Sequence, residues 1–248
     1  MLEETRSIDT PDGPLGVYSC RPDGAGPFPV VMFFHHGPGM DEGSKQAAAR
    51  IAAGGHYVVA HDRYHRFGPW ITADIAALRA AGPDSDEAKR FWGILLGTTD
   101  DMVATDVDAV LDDLKSQPAA RDGAMGVIGY CIGARSVLRT MAAHPDRFAA
   151  GVALHPSFCS TSDADSPHLS VPTLPGHVYV GFGAEDKMQS VEANQPLIEA
   201  VATLGDRGRV EIHEGADHGF AVPGPAYQDA AADRSYEMAL ALFAKTLD

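Results

Sequence analysis

The chain is poor in cysteine: Cys20, Cys131 and Cys159 are its only thiols in 248 residues. They are too few and too scattered for a disulfide framework or a zinc knuckle, and no Cys-x-x-Cys pair offers a redox couple. Positive charge is also scarce, with 19 Lys and Arg against 34 Asp and Glu, a formal net charge of −15. Such a surface repels phosphate backbones and anionic lipid, so neither a nucleic-acid nor a membrane partner is expected. No apolar run approaches the roughly 20 residues needed to cross a bilayer. The start, Met1-Leu2-Glu3-Glu4, lacks the basic-then-apolar profile of a signal peptide. These absences point to a soluble protein of the reducing cytoplasm, a monomer or homodimer.

Hydrophobic residues make up 45% of the chain, enough for a sizeable core, and the length suits one α/β domain over residues 1–248. Ile8 to Cys20 reads as a hairpin around the turn-forming Thr10-Pro11-Asp12-Gly13-Pro14. Phe28 to Phe34 is a continuous apolar run, as expected of a strand buried on both faces. Further strands are expected at His56–Ala60, Phe148–Leu154, His177–Phe182 and Arg209–His213. Helices are expected over Ser44–Ala53, Thr98–Ser116, Val191–Leu204 and Tyr227–Thr246. In the second of these, Val103, Val107, Val110, Leu111 and Leu114 share one face, and Asp106, Asp108, Asp112 and Asp113 read as its solvated side. Phe67 to Lys89 reads as a long excursion over the sheet edge with a short periodic piece, Ile71–Ala80, and Ser160 to Pro175 as a loop. Strands alternating with helices throughout imply a mostly parallel sheet with helices on both faces.

The most informative stretch is Gly126-Val127-Ile128-Gly129-Tyr130-Cys131-Ile132-Gly133, a β-branched run ending in Gly-x-Cys-x-Gly before a helix-forming segment. This is the pattern of a nucleophile elbow, a sharp strand-to-helix turn that exposes the central side chain. A thiol there sits at a helix N-terminus, whose field favours the thiolate. Asp186 follows the next-but-one strand, 55 residues on, and His218 follows the last strand, 32 residues later. Nucleophile, acid, histidine, each just past a strand's carboxyl end, is the order of the α/β-hydrolase arrangement. In that reading His218 takes and returns the proton, and Asp186 fixes its tautomer. The oxyanion-hole candidates are the backbone N–H groups of Ile132, after the nucleophile, and Gly37, in the loop after Phe34. His36, His155 and Phe158 are candidate substrate contacts at strand ends, with Tyr64 and Trp92 as further aromatic candidates.

Over nearly its whole length the chain resembles the dienelactone hydrolase family, cysteine hydrolases of the α/β-hydrolase fold. The resemblance rests on Gly129-Tyr130-Cys131-Ile132-Gly133, Gly183-Ala184-Glu185-Asp186, and Gly215-Ala216-Asp217-His218-Gly219-Phe220-Ala221. Gly55 to Tyr64, similar to the family's strand leading into an Asp-x-Tyr loop, supports it. It implies Cys131 as nucleophile, His218 as base, Asp186 as the orienting acid, and hydrolysis of a small ester or lactone without metal or cofactor. The chain departs from the family at two places: His36 stands where its dienelactone-cleaving members have a glutamate that activates the thiol, and Val222 where they have an arginine that grips the substrate carboxylate. Without the glutamate's charge, Cys131 is expected to rest as a thiolate paired with His218 imidazolium, and His36 to donate a hydrogen bond to substrate. A thioesterase or acyltransferase would use the same three residues, and a non-catalytic relative of the fold would bind a ligand without turning it over.

Overall fold

The computed structural model describes residues 1–247. An eight-stranded sheet runs through it in the spatial order β1-β2-β4-β3-β5-β6-β7-β8. Its strands are β1 (Leu2–Thr10), β2 (Gly13–Arg21), β3 (Val30–Phe34), β4 (Tyr57–His61), β5 (Met125–Tyr130), β6 (Phe148–Leu154), β7 (His177–Gly183) and β8 (Gly208–His213). The β1–β2 hairpin and the β2–β4 pairing are antiparallel, and every pairing from β4 to β8 is parallel.

The helices are α1 (Glu42–Ala53), α2 (Ile75–Ala81), α3 (Asp86–Gly97), α4 (Asp100–Leu114), α5 (Ile132–Ala143), α6 (Gln195–Ala202) and α7 (Asp229–Leu247). Along β3, Val30, Met32 and Phe34 pack with α4 and α5, while Val31 and Phe33 pack with α1 and α7. Successive strand side chains point to opposite faces, so a strand with helices on both sides must be apolar at every position. That is why Phe28 to Phe34 shows no alternation.

Three details differ from the sequence reading. The excursion before α4 carries two helices, α2 and α3, started by side-chain caps in which Asp74 accepts from Ala77 N–H and Ser85 from Ala88 N–H. Pro196 stands in the first turn of α6 and shortens it relative to the apolar pattern. Asp106 is not on a solvated face: it is fully buried, accepting from His65 Nε2 at 3.1 Å and from Arg66 at 2.9 Å. Asp113 is largely covered too, bound to Arg6 from β1. Only Asp108 and Asp112 of that group are chiefly in water.

Candidate active site

Because β3 and β5 to β8 are parallel neighbours, their carboxyl ends share one edge of the sheet, and every candidate functional loop leaves from that edge. Cys131 follows β5 and caps α5 with φ 55° and ψ −118°, a region a non-glycine residue occupies only under constraint. Glycine is required on both sides. A Cβ on Gly129 would run into the carbonyl of Gly133, and one on Gly133 into the carbonyl of Phe34. The second approach draws the start of α5 against the end of β3, placing the His36–Gly37 loop beside the thiol. Ile132 and Gly37 both border the cavity over Cys131, and neither N–H donates to a loop, turn or cap acceptor among the described residues.

Asp186 and His218 meet although 32 residues separate them: Nδ1 of His218 donates to Asp186 Oδ2 at 2.7 Å. The other carboxylate oxygen accepts from Met188 N–H at 2.9 Å and Gln189 N–H at 2.8 Å. Asp186 is thus locked, and Nε2 of His218 is left free, buried and without a directed protein hydrogen bond. Burial alone would lower the pKa of His218, but the hydrogen bond to Asp186 and the neighbouring Cys131 sulfur override it and lift the value to about 10. For Cys131, burial works upward and is outweighed by the neighbouring His218, then by the Ser157 hydroxyl and His36, so the thiol falls to about 7. The other two thiols are buried without such help. Cys20 is pushed up to about 12, and Cys159 further in the same direction. The fold thus brings Asp186 and His218 into direct contact beside Cys131, three residues far apart in sequence.

The cavity above these residues has a volume of about 650 Å³ and is walled mainly by apolar side chains, among them Phe91, Leu95, Ile132 and Val222. Helices α2 and α3 form its far wall. His36, His155, Phe158 and Trp92 all border it. His36 Nε2 donates to Asp41 Oδ2 at 3.1 Å. A neutral His36 bonded this way keeps only the Nδ1 lone pair, so it can donate to substrate only when protonated. His155 is fully buried with φ 38°, both ring nitrogens unpartnered, its ring edge-on to His218 at 5.1 Å. Burial, then the charge of His218, holds it well below the ordinary histidine range, so it is a neutral wall. Trp92 is 41% exposed at the mouth.

Tyr64 lies apart. It borders an adjoining cavity of about 560 Å³, and its hydroxyl donates to the Gly37 carbonyl at 2.8 Å, buttressing the loop rather than facing the thiol. Sequence reasoning missed Ser157, whose Oγ is 3.3 Å from Cys131 Sγ. Its signal was available, since it sits between His155 and Phe158 in the loop after β6. Among the described residues no cluster of His, Cys, Asp and Glu has the arrangement to hold a metal ion.

The sequence model of the dienelactone hydrolase family matches residues 15–247. A protein of Methylorubrum extorquens named "Putative carboxymethylenebutenolidase" is 26% identical over 216 residues, covering 86% of this chain and 70% of its own. One of the same name from Escherichia coli K12 is 25% identical over 247 residues, covering 96% and 84%. Among solved structures, one described as a "Putative Dienelactone Hydrolase" from Klebsiella pneumoniae superposes with a TM-score of 0.82 at 21% identity, covering 98% of both chains. A cold-adapted esterase from an Arctic intertidal metagenomic library superposes with a TM-score of 0.74 at 17% identity, covering 99% of this chain and 94% of its own. Structural likeness at such identities establishes the α/β-hydrolase fold, and the family match over nearly the full length establishes more: this chain belongs to the dienelactone hydrolase family and is a hydrolase.

Proposed function

We propose that this hydrolase cleaves a small, uncharged carboxylic ester or lactone through Cys131, His218 and Asp186, by way of an acyl-thioenzyme. The observation that carries the reading is the 2.7 Å Asp186–His218 bond, which leaves Nε2 free next to a thiol held at a strained elbow. The Cys131 thiolate attacks the carbonyl carbon, and the oxygen, gaining negative charge, is met by the N–H groups of Ile132 and Gly37. Each such donor typically contributes about 2.7–4 kcal/mol to the transition state. His218 imidazolium gives its Nε2 proton to the departing alkoxide, which leaves as the alcohol. Neutral His218 then takes a proton from water as that water attacks the thioester carbon. The acid departs, and thiolate and imidazolium are restored.

The pH dependence follows from the two pKa values. Below about 7 the thiol of Cys131 is protonated and loses its nucleophilicity; above about 10 His218 has no proton for the leaving group. The rate of ester turnover is expected to rise through about pH 7 and to fall only near pH 10. A rising limb centred near the free-thiol value of about 8.5 would contradict the resting ion pair.

Substrate charge is the second test. Val222 borders the cavity where an arginine would grip a carboxylate, and apart from the Cys131–His218 pair the charged groups present are Asp41, Asp74 and Arg79, the last two exposed. A buried ionic hydrogen bond gives roughly 1.5–3 kcal/mol, or about 10- to 150-fold. Comparing kcat/KM for a lactone bearing a free carboxylate with that for its methyl ester should show no preference of this size for the acid. A preference that large would mean that another cation has taken the role.

A further inference from the structure

The loop after β6 holds two of the four non-glycine residues with positive φ among those described, His155 at 38° and Phe158 at 55°, and they bracket Ser157. Strain of this kind persists only where the surroundings fix it. Here His155 N–H donates to Gly181 O at 2.8 Å, Ser157 N–H to Cys131 O at 3.0 Å, and Phe158 N–H to Gln189 Oε1 at 3.2 Å. Arg135 clamps the Phe158 carbonyl at 2.6 Å. Gln189 in turn gives its own N–H to Asp186, so the loop is tied to the carboxylate that orients His218. The outcome of all this pinning is a buried hydroxyl 3.3 Å from the Cys131 sulfur, with no other protein partner for that hydroxyl among the described residues.

We infer that Ser157 is a positioning residue for the thiolate: its hydroxyl donates to Cys131 Sγ and, together with His218 Nε2, holds the sulfur as an anion. The direction of the bond follows from chemistry, because a thiolate has no proton to give and a hydroxyl has one. Once the sulfur is acylated its charge is gone and the bond weakens. Ser157 therefore favours the sulfur as resting thiolate and as leaving group in deacylation, but not as thioester. This role rests on the proposed cysteine chemistry, and it adds a donor that the three-residue chain does not contain. The ionisable groups near the sulfur are His218 after β8, His36 after β3, and Cys159 and His155 in the same loop as Ser157, with Tyr64 after β4 behind the Gly37 loop. Of these, only His218 and His36 favour the thiolate.

The test is the pH dependence of Cys131 alkylation by iodoacetamide, which needs no ester substrate. Ser157→Ala is expected to move the midpoint up by about one to two pH units, a roughly 10- to 100-fold loss of thiolate on the acid limb. The plateau rate should not fall, because a more basic thiolate is intrinsically more nucleophilic, by about threefold per unit. Ser157→Thr keeps the hydroxyl and should restore the midpoint. Ser157→Gly also removes the hydroxyl and should shift it as alanine does, so the result does not depend on one variant folding. A wild-type midpoint well below the free-thiol value, unchanged in the alanine and glycine variants, overturns the inference while leaving the proposed function intact. A wild-type midpoint like that of free cysteine overturns the resting thiolate itself.

Discussion

Replacing Cys131 by alanine is expected to lower kcat for ester or lactone hydrolysis by about 10⁴ to 10⁶, the usual cost of removing the nucleophile from a triad. The fold should survive, since the change removes one sulfur from a half-buried side chain that belongs to neither apolar core cluster. The other thiols provide the control. Cys20 is buried in β2 and Cys159 in the loop after β6, both with pKa values raised by burial, so neither offers a competing thiolate at neutral pH. Alkylation at neutral pH should accordingly label Cys131 first, and activity should be lost in step with that label. Near-normal turnover by Cys131→Ala, with loss in a Cys20 or Cys159 variant, would displace the nucleophile from the elbow.

His218→Ala should be as damaging as loss of the thiol, because the other histidines at the cavity are unsuited to carry the proton. His155 is held neutral by burial and His36 is bound to Asp41. The same variant should raise the pH midpoint of Cys131 alkylation, since His218 is the main influence lowering that thiol against burial. Asp186→Asn tests a finer point. Met188 and Gln189 N–H both point at Oδ1, so an asparagine there keeps its carbonyl oxygen on them and turns its amide toward His218 Nδ1. Two donors cannot face each other, so the ring must present Nδ1 as acceptor and carry its proton on Nε2, unable to accept one from the thiol or water. A loss approaching about 10⁴ in kcat is expected, severe but milder than removing the ring. An unchanged kcat/KM in a folded Asp186→Asn protein would remove Asp186 from the chain of proton transfer.

The site was partly legible because strand-end chemistry is local. Gly129 and Gly133 mark the elbow by their own spacing, and the backbone there tolerates no Cβ. Asp186 and His218 were visible as loop tips after apolar runs, although their contact is a property of the assembled sheet. Ser157 escaped notice because serine in a loop is ordinary, and only the pinned, positive-φ backbone around it aims the hydroxyl at the sulfur. Tyr64 was grouped with the cavity's aromatics because an aromatic after a strand looks the same whether it faces substrate or supports the next loop. Its bond to Gly37 O distinguishes the two.

What the sequence determined by itself follows from short-range rules. Strands buried on both faces must be apolar throughout, helix starts need side-chain acceptors, and a sharp strand-to-helix turn needs glycine where chains nearly touch. These settle the parallel sheet and the elbow without any knowledge of neighbours. What only the tertiary structure decided depends on neighbours brought together by folding. Asp106 looked like one more carboxylate on a wet helix face, yet His65 and Arg66, about 40 positions earlier in the chain, surround it and make its burial possible. Likewise α2 and α3 have their own helix-start signals, but that they wall the cavity over Cys131 is decided only by the assembled fold.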